Sequence, residues 1–291
     1  MDPALAAALG AAVGAAVTTS RPLSGGDNAG SHLVQLDDGR TVFAKSQPSG
    51  PPGCLTTEAI GLRWLAETDA VPVPRVIAVS DGDPPAGVPN LLVLEWIDEG
   101  RPNRRTDVDL GEGLAALHRA GAPTFGREDR RPTGSRGLPN EPCDSWAEFY
   151  ATQRLLPLAR IAHDEQALPD SLIAGLEGVA RRLDELGGPP EPPARLHGDL
   201  WAGNRIIGPD GRSWLIDPAA HGGHREFDLA MMQLFGGFGS ETFAAYRAAY
   251  PLADGWAERV LLHQIAPLVV HAIKFGGAYR SSAARAIGQY Q

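Results

Sequence analysis

Short apolar runs separated by turn signals dominate the first third of the chain. Apolar residues alternate with polar ones or form brief continuous stretches, which is the pattern of β-strands. Strands are predicted at residues 18–24, 31–36, 41–45, 75–79 and 91–94. Residues 1–17 are apolar and rich in alanine, and residues 55–67 place their apolar side chains on one helical face. The first third is therefore predicted to form a sheet with two helices.

Helical periodicity dominates the rest of the chain. Helices are predicted at residues 108–119, 146–158 and 168–186 and through most of 241–290, and the segment 221–228 is predicted to open a further helix. Residues 125–142 form a loop rich in glycine, proline and arginine, and residues 187–193 form a proline-rich connector. Strands concentrated in the first third and helices after it indicate the α+β class.

One stretch of strand and turn residues interrupts this helical part, at residues 196–219. Its sequence is LHGDLWAGNRIIGPDGRSWLIDPA, and it predicts two short strands joined by a turn at Pro-Asp-Gly. The hairpin brings Asp199, Asn204 and Asp217 toward one site. Either aspartate alone is typical of a turn, and Asn204 alone of a loop cap. The ordered triplet, however, suits phosphoryl transfer, which needs hard oxygen ligands for Mg²⁺ and a carboxylate aimed at the attacking hydroxyl.

The order and spacing of this triplet resemble the catalytic loop of kinases. There an Asp that accepts the hydroxyl proton is followed five positions later by an Asn, and a second metal-binding Asp follows a hairpin. Asp199 is thus the candidate catalytic residue, and Asn204 and Asp217 are the candidate metal ligands. The loop has HGD and DPA where protein kinases have HRD and DFG, which points to small-molecule kinases of the same fold. The expected architecture is two-lobed, with an antiparallel sheet plus helix in residues 1–97 and a mainly helical lobe in residues 98–291.

A kinase lobe also implies a lysine on its third strand and a glutamate on the helix that follows. Lys45 is at the end of the predicted strand 41–45, and the 26 basic residues include just one other lysine, at position 274. Such a bias toward arginine favours a specific need for a compact ammonium group at Lys45. Glu58 is the candidate partner of Lys45, although a solvated first-turn glutamate would look the same. Glu67 is the alternative partner if the helix register is shifted.

Two further segments are candidates for ATP binding. The glycine-rich turn between the first two strands lets backbone N–H groups approach phosphates, although the strict GxGxxG pattern is absent and a plain hairpin turn would look similar. The segment after the strand 91–94 corresponds to the kinase hinge, whose backbone meets adenine. The candidate residues are Gly25, Gly26, Asp27 and Asn28 in the turn, and Glu95, Trp96 and Ile97 in the hinge.

Composition and charge argue against nucleic-acid and membrane partners. The net charge of −9 argues against a nucleic-acid surface, which would need a clustered basic face. The two cysteines form no disulfide framework or metal spacing. The N-terminal apolar segment lacks the basic start of a signal peptide, and no apolar run is long enough to span a bilayer. A cytoplasmic protein without nucleic-acid or membrane partners is expected.

The flanking segments resemble the fructosamine (ketosamine) kinase family along nearly the whole chain. The segments that carry the resemblance are EAIGLRWLAE, VPVPRVIAV, LLVLEWI, SWAEFYATQRLLP, LHGDLWAGN, LIDPA, GHREFDLAMMQLFGGF and ERVLLHQIAPLVVHAIKFGG. The resemblance implies ATP-dependent phosphorylation of a ketosamine sugar hydroxyl, at O3, in deglycation repair of free or protein-bound amines. It also implies that His197 and Asp228 support the catalytic loop. Trp201 is a candidate for stacking on the sugar, with packing as the alternative.

Several alternatives are weighed against this interpretation. A kinase of another metabolite or of an aminoglycoside would share the triplet but should lack the flanking segments. A protein kinase would need a longer path between Asp217 and Asp228, and a non-catalytic scaffold should have lost one of the triplet or Lys45. His118 is expected to be a packed or capping histidine. His221 and His224 are three residues apart, but a metal pair is not favoured because no third ligand has suitable spacing.

Overall fold

An antiparallel five-stranded sheet forms the first part of the molecule. The computed structural model describes residues 1–23, 30–47, 52–81 and 90–291. The strands of the sheet are β1 (Val17–Pro22), β2 (Gly30–Leu36), β3 (Thr41–Ser46), β4 (Val76–Ser80) and β5 (Leu91–Glu95). They lie side by side in the order β1-β2-β3-β5-β4. All five predicted strands of this region are therefore confirmed.

A helix covers each face of this sheet. Helix α1 (Pro3–Val13) begins after Asp2, whose carboxylate accepts a hydrogen bond from the Ala4 N–H. Its buried leucines pack with Val42 and Ala44 of β3 on one face of the sheet. Helix α2 (Cys54–Ala66) packs on the other face, which includes Phe43. Because side chains alternate along a strand, Lys45 shares the face of Phe43 and points toward α2.

The second part of the chain is mainly helical. Trp146–Asp164 is continuous through a π-helical turn at Ala151–Leu155, so it extends beyond the predicted residue 158. The predicted helix 168–186 is instead broken at Arg182, where φ is −110° and ψ is 11°. The helices of this part are α3 (Thr106–Arg119), α4 (Trp146–Tyr150), α5 (Leu156–Asp164), α6 (Asp170–Arg181), α7 (Leu183–Leu186), α8 (Glu226–Leu234), α9 (Ser240–Ala249), α10 (Trp256–Phe275) and α11 (Ala278–Gly288).

Two small antiparallel sheets frame the stretch 196–219. Strand β6 (Ala194–Leu196) pairs with β9 (His221–Gly223), and β7 (Arg205–Ile207) pairs with β8 (Ser213–Leu215). The expectation that residues 221–228 open a helix was wrong for residues 221–223, which form β9, and α8 begins at Glu226. The pairing of β6 with β9 fixes the start and the end of this stretch relative to each other.

The two parts of the chain share a buried cluster. Leu65 and Val71 of the first part pack with leucines of α3 and with Leu215 of β8. The segment between β5 and α3 contains no helix or strand, and within it the Gly100 N–H donates to the Ile207 carbonyl at 2.7 Å. The division into lobes at residue 97 stays a prediction. Within the described ranges, no helix is long and apolar enough to cross a membrane.

Candidate active site

Asp228 binds the backbone of the loop that follows β6. The carboxylate of this buried α8 residue accepts the N–H of His197 at 2.8 Å and the N–H of Gly198 at 2.9 Å. Gly198 has a φ of +81°, and a Cβ there would lie 2.2 Å from the Ala219 carbonyl oxygen, so a larger residue does not fit. Asp228 therefore fixes the backbone immediately before Asp199.

Two histidines complete this support. His118 Nε2 lies 3.2 Å from the Asp228 carboxylate, and its Nδ1 lies 2.8 Å from the Tyr246 hydroxyl. Burial acts to raise the pKa of Asp228, but the hydrogen bond and charge of His118, together with His197 and the Gly198 N–H, outweigh it and leave the pKa below its ordinary value. His197 Nε2 lies 3.0 Å from the Ile216 carbonyl, one residue before Asp217. The expected support by His197 and Asp228, and the packed position expected for His118, agree with these contacts.

The hairpin brings the predicted triplet together. Asn204 Nδ2 donates to the Asp199 carboxylate at 3.0 Å and to the Asp199 carbonyl at 2.9 Å, and it lies 3.5 Å from the Asp217 carbonyl. The Ile216 N–H donates to the Asn204 carbonyl at 3.0 Å, which continues the β7–β8 pairing to the edge of the site. Asp217 then turns out of β8 with a φ of +54°.

Lys45 connects the sheet to this triplet. Its ammonium group lies 2.7 Å from a Glu58 carboxylate oxygen and 2.7 Å from a carboxylate oxygen of Asp217. Glu58 is buried on α2, whereas the side chain of Glu67 is 64% exposed and pairs with Arg195 at 3.0 Å. The structure therefore favours Glu58, and it rejects Glu67 as the partner of Lys45.

Charge within the site is imperfectly balanced. Burial and the neighbouring Asp217 raise the pKa of Asp199 to about 7, and the same two causes raise the pKa of Glu58 to about 7. Desolvation by the surrounding protein acts to raise the pKa of Asp217, but the charge and hydrogen bond of the Lys45 ammonium outweigh it and hold the pKa below its ordinary value. Burial acts in turn to lower the pKa of Lys45, but the two carboxylates raise it. The Lys45 ammonium thus contacts two of the three carboxylates and acts on Asp199 only through its charge.

This donor set fits a divalent cation. Carboxylate and amide oxygens are the ligands that Mg²⁺ takes from proteins. The Asp217 side chain is 48% exposed, so its carboxylate remains accessible although Lys45 contacts it. A cation would also relieve the carboxylate repulsion that raises the pKa of Asp199. Asn204 and Asp217 are the residues that could hold such an ion.

The other candidate ATP-binding residues lie in two segments, of which only the hinge segment belongs to the described residues. Gly25, Gly26, Asp27 and Asn28 lie outside the described residues. In the hinge segment, a Glu95 carboxylate oxygen accepts the Arg75 N–H at 2.8 Å, and the Trp96 indole N–H donates to Asp98 at 2.8 Å. Both side chains are engaged locally, so a contact with adenine would fall to the backbone here, including that of Ile97, as the sequence suggests.

Trp201 belongs to the loop between Asp199 and Asn204. The residue is 39% exposed, and a Cβ on Gly203 would lie 2.2 Å from its indole ring, so the ring rests against the glycine backbone. The ring of Phe235 also contacts it, at a centroid distance of 6.0 Å and an interplanar angle of 69°. An exposed aromatic face two residues after Asp199 is compatible with stacking on a sugar, while the edge toward Phe235 is packed.

The histidines after β8 do not form the pair considered from the sequence. His221 lies 2.8 Å from the Ala219 carbonyl through Nδ1, while His224 lies with Glu226 and His263 in a buried group within 4.8 Å. The Glu226 N–H donates to His224 Nδ1 at 3.3 Å, and Arg259 binds both carboxylate oxygens of Glu226 at 2.9 and 2.7 Å. Arg259 already neutralises the Glu226 carboxylate, and His263 Nε2 lies 3.4 Å from the same carboxylate, so the arrangement fits a buried ion-pair network better than a metal site.

Sequence reasoning missed one polar residue beside the site. The guanidinium of Arg127 donates to the Ala220 carbonyl, three residues after Asp217, at 2.9 Å. Arg127 belongs to the glycine- and proline-rich loop that has no periodicity, and contacts across such a loop leave no signal in the spacing of residues. The arginine content of the loop was the one available hint.

Comparison with known proteins identifies the chain. The model of the family described as fructosamine kinase matches residues 1–291. A Synechocystis protein named probable ketoamine kinase is 36% identical over 273 residues, covering 92% of this chain and 89% of the relative. The chloroplastic protein-ribulosamine 3-kinase of Arabidopsis thaliana is 32% identical over 268 residues, covering 90% of this chain and 79% of the relative.

Solved structures agree with this result. The crystal structure of a protein from Thermobifida fusca described as a fructosamine-3-kinase has a TM-score of 0.88 at 40% identity, and the match covers 98% of each chain. The aminoglycoside phosphotransferase APH(4)-Ia shares the fold at 17% identity, with a TM-score of 0.60 and coverage of 98% of this chain and 96% of the other. The predicted two-lobed kinase-like fold and the family resemblance are confirmed. This chain belongs to the fructosamine kinase family, whose members are phosphotransferases.

Proposed function

We propose that this protein transfers the γ-phosphoryl group of ATP to a sugar hydroxyl of a ketosamine. The observation that carries the proposal is the single cluster formed by Lys45, Glu58, Asp199, Asn204 and Asp217, in a chain that belongs to the fructosamine kinase family along its whole length. The relatives named ketoamine kinase and protein-ribulosamine 3-kinase support a fructosamine or ribulosamine acceptor and O3 as the hydroxyl. Removal of sugar adducts from amines is the proposed purpose.

Asp199 receives the proton of the acceptor hydroxyl in this mechanism. As the proton moves to the carboxylate, the hydroxyl oxygen forms a bond to the γ-phosphorus, and the bond from that phosphorus to the bridging oxygen breaks to release ADP. The amide of Asn204 holds the carboxylate in place through the 3.0 Å hydrogen bond. A pKa of about 7 makes the group a competent proton acceptor near neutral pH.

Lys45, Asn204 and Asp217 handle the phosphate charge. Asn204 and Asp217 would hold Mg²⁺, which when bound neutralises the negative charge of the β- and γ-phosphates. Lys45, oriented by Glu58 at 2.7 Å, would pair with the α- and β-phosphates. Because little covalent chemistry falls to the protein, most of the rate would come from positioning and charge neutralisation.

The test of this function is an ATP-consumption assay in the presence of Mg²⁺. A small ribulosamine and a small fructosamine are compared with an aminoglycoside and with choline as acceptors, and Asp199→Asn is the control for contaminating activity. We expect turnover with the ketosamines alone and its loss in the variant. Turnover with an aminoglycoside or choline instead would retain the phosphotransferase chemistry and overturn the ketosamine assignment.

Trp201→Ala is expected to raise the KM for the ketosamine about 2- to 10-fold, the range that a single aromatic contact supplies. The KM for ATP should change less than twofold, because Trp201 lies on the acceptor side of Asp199 in this proposal. Steady-state kinetics with each substrate varied in turn gives both values. Trp201→Phe keeps an aromatic face and should recover most of the affinity. An equal loss in both variants would contradict stacking.

A further inference from the structure

The loop between α3 and α4 is attached to the strand that follows the metal-binding aspartate. The backbones of Gly126 and Gly222 exchange two hydrogen bonds, at 2.8 and 2.9 Å, so this loop extends the sheet of β6 and β9. A Cβ on Gly222 would lie 1.9 Å from the Thr124 carbonyl oxygen, so the two backbones are too close for any residue but glycine at this position. The loop therefore has a fixed position beside residues 217–223.

Arg127 reaches from this loop to the segment behind Asp217. It is 8% exposed and binds the Asp129 carboxylate in a bidentate manner, through Nε at 2.8 Å and Nη2 at 2.7 Å. Its remaining nitrogen, Nη1, donates to the Ala220 carbonyl at 2.9 Å. All three guanidinium nitrogens thus have protein partners. The Arg127 side chain therefore connects its own loop to the segment after Asp217. It has no free nitrogen for contact with a substrate.

The short segment from Asp217 to Ala220 is enclosed by such contacts. The Ala219 carbonyl accepts a hydrogen bond from His221 and lies against Gly198, and the Ala220 side chain lies against Gly61 of α2. Arg127 supplies the partner of the Ala220 carbonyl. Asp217 itself has a φ of +54°, a conformation that a non-glycine residue keeps only where its surroundings enforce it.

We propose that Arg127, held by Asp129, is a positioning residue that fixes Asp217 in the conformation needed for metal binding. The inference rests on the proposed role of Asp217 as a metal ligand. A guanidinium group can bind a carboxylate with two nitrogens and still donate to a carbonyl with the third, which a lysine cannot do. Without this donor the Ala220 carbonyl is left unpaired in a buried place, and the strained turn at Asp217 loses one of its constraints.

The experiment compares Arg127→Gln and Arg127→Lys with Arg130→Gln. Arg130 is three residues along the same loop, and its exposed side chain pairs with Glu141 at 3.2 Å, away from the segment 217–220. The control therefore removes the same charge without removing the hydrogen bond. A double variant, Arg127→Gln with Asp129→Asn, avoids leaving the Asp129 carboxylate with the more distant Arg131, at 3.7 Å, as its cationic partner if the single variant folds poorly.

The first readout is amide hydrogen exchange of residues 217–223 in protein free of metal and nucleotide. Loss of one buried hydrogen bond predicts exchange at least about tenfold faster in the Arg127 variants, with Arg130→Gln unchanged. The second readout is the Kd of Mg·ADP by calorimetry, which should rise about tenfold in Arg127→Gln, and less in Arg127→Lys, which keeps the charge and a single donor nitrogen. Neither measurement uses an acceptor, so an incorrect acceptor assignment would leave both results intact.

Three outcomes would overturn the proposal. Exchange and Mg·ADP affinity within twofold of the parent protein, in an Arg127→Gln variant that still unfolds cooperatively, would show that Asp217 does not depend on Arg127. Equally fast exchange and equally weak Mg·ADP binding in Arg130→Gln would show that loss of a positive charge from the loop, and not loss of the hydrogen bond to Ala220, causes the effect. Faster exchange at unchanged Mg·ADP affinity would make the contact structural and unrelated to metal binding.

Discussion

Replacing Asp199 by asparagine is expected to lower kcat about 10²- to 10⁴-fold, the range that a positioned general base supplies. The variant keeps the size of the side chain and an oxygen that can accept the hydrogen bond now made by the Asn204 amide at 3.0 Å. It loses the ability to take the hydroxyl proton. The Kd of Mg·ATP, measured by fluorescent-nucleotide displacement, should remain within about threefold, because Lys45 and Asp217 are unchanged.

A matched carboxylate-to-amide change gives the control. Glu67→Gln removes a negative charge from the residue that follows α2, but the side chain is exposed and pairs with Arg195, away from Lys45. Its kcat and nucleotide affinity should be those of the parent enzyme. If Asp199→Asn turns over at the parental rate, the assignment of the catalytic residue is wrong.

The raised pKa of Asp199 predicts how the thermal stability of the protein depends on pH. Its pKa is about 7 in the folded protein and near 3.8 in the unfolded chain, so folding favours the protonated carboxyl. The stabilisation that this group contributes is complete below pH 3.8 and is lost as the pH rises to about 7. In metal-free protein, Asp199→Asn should therefore raise the thermal midpoint relative to the parent protein at pH 8, and the difference should shrink as the pH falls toward 4. A difference independent of pH would contradict the raised pKa.

Strand periodicity and turn residues were sufficient to predict the site residues that lie on strands or in the hairpin between them. The period of two along β3 places Lys45 on the face that α2 covers, so an acidic partner was expected on that helix or at its end. The spacing of Asp199 and Asn204, and the hairpin that delivers Asp217, likewise follow from turn residues and short apolar runs. The choice between Glu58 and Glu67 depended on helix register, which the structure supplied.

Contacts made across loops could not be predicted in this way. Strand β9 has the sequence HGG, and glycine is depleted in strands, so its pairing with β6 left no signal. Close backbone approach at Gly222, which demands glycine, is the physical reason for that composition. The contact of Arg127 with the Ala220 carbonyl depends on the same backbone pairing, because the loop that carries Arg127 is placed beside β9 by that pairing. It could not be predicted for the same reason.

Asp217→Asn is expected to weaken binding of Mg·ATP about 100-fold or more, since loss of a direct ligand should cost at least as much as loss of the groups that orient one. The carboxylate that Lys45 contacts at 2.7 Å is removed, so Lys45 keeps Glu58 as its acidic partner. Calorimetry with ATP in the presence and absence of Mg²⁺ measures the effect.

The metal-free titration should change in the opposite direction. Without Mg²⁺, the Asp217 carboxylate repels the phosphates and competes with them for the Lys45 ammonium, so its neutralisation should leave ATP affinity unchanged or raise it. Asp210→Asn is the matched control, because Asp210 lies in the turn of the same hairpin and its carboxylate accepts the Arg212 N–H at 3.0 Å. Equal weakening with and without Mg²⁺ would place Asp217 in nucleotide binding alone, whereas parental affinity with Mg²⁺ would remove it from the metal site.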